Sequence, residues 1–248
     1  MAQIRVIIGD QAEEIRATQA LSLAMTEALS RLERLGVHKS PRWPVGPLLS
    51  AACRSLALAS IAGLDTPLEV LALSARNTLE LWLRLLYVLA SDENRQAWRD
   101  ENLTDQIQVW EATLALETPD SPREAKAVIL AEIDRVTQLA ASRGLHQGKI
   151  MTTQSLAKAT GCEAEYKAFY KLYSKLVHPS SWMVNSPSAV SAPMYRMTLA
   201  ANVQVYGLEI LKVVEKEFGV SSEECYESAI ALLPRGADLD RTKTQLVQ

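Results

Sequence analysis

The stretch TPLEVLALSARNTLELWLRLLYVLA, residues Thr66 to Ala90, decides the fold. Thr66-Pro67-Leu68-Glu69 reads as a helix start. It offers a capping hydroxyl, a proline at the first helical position where its missing N–H costs nothing, and a glutamate near the positive helix end. Beyond it Val70, Leu71, Leu73, Leu79, Leu81, Trp82, Leu83, Leu85, Leu86 and Val88 place apolar groups on nearly every side. A helix without a wet face belongs in the middle of its bundle. Arg76, Glu80 and Arg84 interrupt this surface four residues apart, so they form one polar stripe. Charges on a buried helix are costly unless paired. The spacing therefore predicts an Arg76–Glu80 pair reaching toward His178 or Tyr170.

Outward from this helix the period stays helical. Asp10 with Glu13 forms a capping box, Leu21, Ala24, Ala28, Leu32 and Leu35 follow at helical spacing, and Gly36 stops the run. The segment 48–62 is rich in alanine and suits close helix approach. Further helices are expected from Asp92 to Leu116, after Ser121-Pro122, from Thr153 to Thr160, from Glu163 to His178, from Pro193 to Phe218, and from Ser221 to Leu233. The Ser/Pro-rich segment from Pro179 to Ala192 reads as a loop and the residues from 235 to 248 as a polar tail. Alternating strand character is confined to Ile4–Ile8, which is too short to count. The expected architecture is an all-α, single multi-helix bundle of about eight helices, with one domain over residues 1–234.

The 248 residues are 48% hydrophobic and 22% charged, the composition of an ordinary globular chain. Lys plus Arg is 26 against 29 Asp plus Glu, a net charge of −3, and this balance argues against DNA as a partner. Neither an apolar span nor a secretory leader is legible, and Cys53, Cys162 and Cys225 are too few and too scattered for a disulfide framework. These features predict a cytoplasmic protein that does not engage a membrane.

Standard catalytic signatures are missing. The sequence holds no glycine-rich phosphate loop, no His-Glu-x-x-His, no Gly-x-Ser-x-Gly and only three histidines. No cofactor and no metal are expected. The segment 166–178 carries the remaining chemistry. Tyr170, Ser174 and His178 share one stripe, with Lys171 and Lys175 beside it. His178 ends the helix, where the negative end of the dipole favours imidazolium. It is a candidate general acid/base, with Ser174 and Lys171 beside it as candidate catalytic groups. Arg76, Glu80, Tyr170 and Lys175 are candidates for a binding or polar network.

Two motifs carry a resemblance: Arg76-x-x-x-Glu80 on a leucine-rich helix, and Tyr170-x-x-x-Ser174-x-x-x-His178-Pro179-Ser180. Together they resemble a bacterial family of unknown function that is itself similar to the HEPN helical domains, over roughly residues 66–181. The resemblance implies a helical bundle, a homodimer, RNA or a nucleotide as partner, and in some members metal-independent RNA cleavage. Nuclease members carry an Arg four to six residues before the His. Lys171 stands nearest to that position here, and a lysine lacks the bidentate grip of arginine. Three readings follow. The first is a non-enzymatic HEPN-like module, such as a component of a bacterial stress or antiphage defence system. The second is a metal-independent ribonuclease using His178. The third is a nucleotide binder with Arg76 on the phosphate.

Overall fold

A computed structural model describes residues 5–61, 67–116, 118, 123–178, 180–186 and 193–233. The helices are α1 (Gln11–Arg34), α2 (Val45–Ser60), α3 (Leu68–Ala90), α4 (Asp92–Leu114), α5 (Arg123–Ser142), α6 (Thr153–Thr160), α7 (Glu163–Glu165), α8 (Lys171–Val177), α9 (Ser181–Asn185), α10 (Pro193–Phe218) and α11 (Ser222–Leu232). A short 3₁₀ turn, Val37–Lys39, follows α1, and a π turn, Tyr166–Tyr170, joins α7 to α8. No strand occurs among the described residues, so the chain is an all-α bundle.

α3 occupies the middle, as its all-round apolar surface requires. It packs on α2, α4, α6, α8 and α10. Leu71, Ala75, Leu79, Leu83, Leu85 and Val88 are buried along it. α1 lies on α2 with Leu21, Met25, Ala28 and Leu32 buried in the core, and α11 closes over α1. Ala52 and Ala59 keep α2 thin. On the other side Gly207 lets α10 come so close that an added Cβ would lie 3.3 Å from Leu56. A second, smaller cluster joins α4 to α5 through Leu103, Ile107, Val136 and Ala140.

The helix ends follow local chemistry. Asp10 accepts the Glu13 N–H at 3.1 Å, while the reciprocal bond comes from the next residue: Glu14 accepts the Gly9 N–H at 2.7 Å. Gly36 takes a left-handed φ of 74° and turns the chain out of α1. Ser91, Thr152 and Ser221 cap α4, α6 and α11 through their hydroxyls.

Several boundaries differ from the sequence reading: the described residues hold eleven helices against the eight or so expected, and the helix expected from Glu163 to His178 is split by the π turn. Pro67 has ψ 137° and stands outside α3 as its cap, one position earlier than the first helical residue. α2 begins at Val45, because Pro47 in its first turn needs no N–H partner. The span expected to be a continuous loop from Pro179 to Ala192 contains α9, started by Ser180. Pro179, residues 187–192, the Ser121-Pro122 start and the tail lie outside the described residues.

Candidate functional site

Two places concentrate polar chemistry, one foreseen from the sequence and one not. The first joins α3 to the π turn ahead of α8. Arg76 donates through Nε to Glu80 at 2.9 Å and through Nη2 to the Tyr170 hydroxyl at 2.8 Å. Its guanidinium also lies 5.0 Å from the centre of the Tyr170 ring. Thr153, on α6, donates more weakly to the same hydroxyl at 3.5 Å. Burial alone would lower the affinity of Arg76 for its proton. Glu80 and then Tyr170 overcome that effect and hold its pKa above the ordinary value.

The π turn is the local device that presents Tyr170. It interrupts an aromatic-rich run and pairs the rings four residues apart: Tyr166 stacks on Tyr170 at 4.8 Å and Phe169 on Tyr173 at 6.4 Å. Tyr173 and Leu176 then plunge into the core. Burial pushes the Tyr173 phenol far above its usual range, so it stays neutral. These core anchors and the Arg76 contact fix α8 against α3.

The other foreseen residues stand apart from this network. Ser174 is half-buried on α8, Lys171 and Lys175 are exposed, and His178 is exposed at the helix end. Eight residues of helix set His178 about 12 Å along the axis from Tyr170. Among the described residues, no hydrogen bond, ion pair or ring contact joins the side chains of Lys171, Ser174, Lys175 or His178 to Arg76 or Glu80. The serine that ends the motif has a structural task. Ser180 donates its hydroxyl to the Lys175 carbonyl at 2.9 Å and accepts the Met183 N–H at 3.3 Å, closing α8 and opening α9.

Arg84 leaves the expected stripe. It makes a bidentate pair with Glu101 of α4, at 2.6 and 2.7 Å, and also donates to the Met151 carbonyl at 3.2 Å. The Glu101 side chain is only 4% exposed. This pair lines a groove of about 1060 Å³ bounded by α2, α3, α4 and the chain just after α5. α2 contributes Leu48, Arg54 and Leu58, and α3 contributes Asn77, Glu80 and Leu81. α4 contributes Trp98, Arg99 and Asp105, while Arg143 and Leu145 close one end. Gly148 brings that last segment in: its N–H and C=O both meet the Thr104 hydroxyl, and an added Cβ would sit 2.9 Å from the Asp100 Cβ. Burial, then the neighbouring Glu101, raises the pKa of the Asp105 carboxyl.

Sequence reasoning passed over this groove. One signal was present: Glu101, Asn102 and Asp105 fall on the Trp98 face of α4, where a plain amphipathic helix would continue its apolar stripe. The arginines come from four separate segments, and no local spacing ties them together.

Neither the family models nor the curated proteins nor the solved structures contain a match to this chain. Among the described residues, no group of three or more His, Cys, Asp or Glu is placed to hold a metal ion. No described helix is long and apolar enough to cross a membrane.

Proposed function

We propose that this chain is a non-enzymatic, HEPN-like helical binding module, in which the Arg-x-x-x-Glu and Tyr-x-x-x-Ser-x-x-x-His-Pro-Ser segments lock helices together. The observation that carries this reading is that Glu80 and Tyr170 together hold Arg76 in place. Its donors face Glu80 and Tyr170, and its flat side covers the tyrosine ring. A catalytic phosphate contact needs donors aimed at the reacting oxygen, and a general acid/base needs to lie within reach of the same place. Arg76 is half-buried and directed at Tyr170, while His178 is exposed at the helix end. Ser180, the last motif residue, supports the same reading through its double capping role.

The test uses the full chain with mixed RNA in EDTA and looks for 2′,3′-cyclic phosphate ends. The module reading expects none at any protein concentration. Cleavage that survives EDTA and is lost in His178→Ala would establish the ribonuclease instead.

A further inference from the structure

We infer that the groove between α2, α3 and α4 binds a small organic polyanion, a molecule with two or more phosphate or carboxylate groups on an apolar or aromatic body. The inference rests on the binding-module reading, but its test measures binding, whereas that reading is tested by cleavage.

Charge accounting across the groove points to the ligand. Arg31, Arg42, Arg76, Arg84, Arg95 and Arg135 each reach a carboxylate. Arg54, Arg99 and Arg143, all lining the groove, do not. Arg54 donates to the Ser50 hydroxyl at 2.9 Å and Arg99 to the Pro41 carbonyl at 3.3 Å. The Arg143 side chain makes no hydrogen bond or ion pair among the described residues. Each therefore keeps guanidinium donors available. The acids of the groove are largely spent: Glu101 on Arg84 and Glu80 on Arg76. Four lining arginines, Arg54, Arg84, Arg99 and Arg143, against Glu80, Glu101 and Asp105 leave a net charge of +1 in a concavity, on a chain whose total is −3.

Such a local reversal of sign attracts an anion, and the guanidinium fork suits the paired oxygens of phosphate and carboxylate. The three uncommitted cations belong to three separate segments, α2, α4 and the chain after α5, so a ligand that engages more than one of them carries at least two acid groups. Trp98, Leu58, Leu81 and Leu145 supply apolar wall between the cations. The volume of about 1060 Å³ is that of a small-molecule site. A single nucleic-acid strand would need a continuous cationic track with a series of stacking rings, and the groove offers one tryptophan.

The experiment is calorimetric titration of the full chain at low salt with ADP, inorganic pyrophosphate and citrate, beside single-stranded poly-uridylate. A saturable one-to-one complex is expected with at least one of the three small anions. A preference for ADP identifies a phosphate ester, and a preference for citrate a polycarboxylate. Arg54→Ser and Arg143→Ser change exposed side chains without carboxylate partners, so the fold is kept, and each should weaken binding about ten-fold. Asp105→Asn should tighten it. The inference is overturned if none of the small anions binds at about 1 mM. It is equally overturned if both arginine variants keep the parent's affinity, or if only poly-uridylate binds.

Discussion

Removing the Tyr170 hydroxyl isolates one bond of the α3–α8 connection. In Tyr170→Phe the ring remains over Arg76, so the stacking and cation–π contacts persist while the 2.8 Å bond from Nη2 is lost. A hydrogen bond from a charged group is worth about 1.5–3 kcal/mol when well shielded. The Arg76 side chain is 24% exposed, so water replaces part of that, and a loss of about 1 kcal/mol is expected. Arg76→Ala removes more. The hydroxyl bond accounts for about 1 kcal/mol, the i,i+4 pair with Glu80 for about 0.4 kcal/mol, and the ring contact for about 0.5–1 kcal/mol. The sum is about 2 kcal/mol, or a fall in Tm of about 4–8 °C for a chain of this size. Denaturant unfolding of the two single variants and the double variant closes the cycle. Tyr170→Phe should cost about 1 kcal/mol with Arg76 present and close to nothing without it. An equal cost in both backgrounds would refute the connection.

Other perturbations have equally definite outcomes. Glu101→Gln leaves the Arg84 guanidinium without its buried counter-charge and should cost about 3 kcal/mol by urea unfolding, near the low end for a broken buried pair because Arg84 keeps the Met151 carbonyl and some water. Ser180→Ala removes the α9 cap and the bond to the Lys175 carbonyl, and thermal unfolding should register about 1 kcal/mol. Asp105 has a raised folded-state pKa, so the folded chain holds this proton more tightly than the unfolded chain does. Its contribution is favourable in acid and is lost as pH rises through the raised value. Asp105→Asn should therefore be more stable than the parent at neutral pH, with the gain vanishing below about pH 4 in a series of unfolding curves.

The helical architecture could be read from the chain because local signals and periodicity agree. The Asp10 and Ser221 starts, the Gly36, Gly144, Gly161 and Gly219 stops, and the nearly all-round apolar surface of α3 all describe the same bundle. The pairing of Arg76 with Glu80 follows from their spacing on one helix, and the reach to Tyr170 follows from the cost of an unpaired charge on a buried helix. Spacing could not disclose the π turn, which accompanies ring packing between Tyr166 and Tyr170 and between Phe169 and Tyr173. Nor could it say that Arg84 would leave the stripe for Glu101, a partner on another helix. The groove is hidden for the same reason. Its arginines are distant in sequence, and Arg143 joins the lining where Gly148 lets the segment after α5 fold against α4.

The central claim is that Arg76 holds α8 onto α3. Amide hydrogen exchange of the parent and of Arg76→Ala measures this most directly, since protection reports local opening segment by segment. The account predicts faster exchange across Lys171–Val177 and the preceding π turn, with α1 and α10 unchanged. Undiminished protection of Lys171–Val177 in the variant would contradict it.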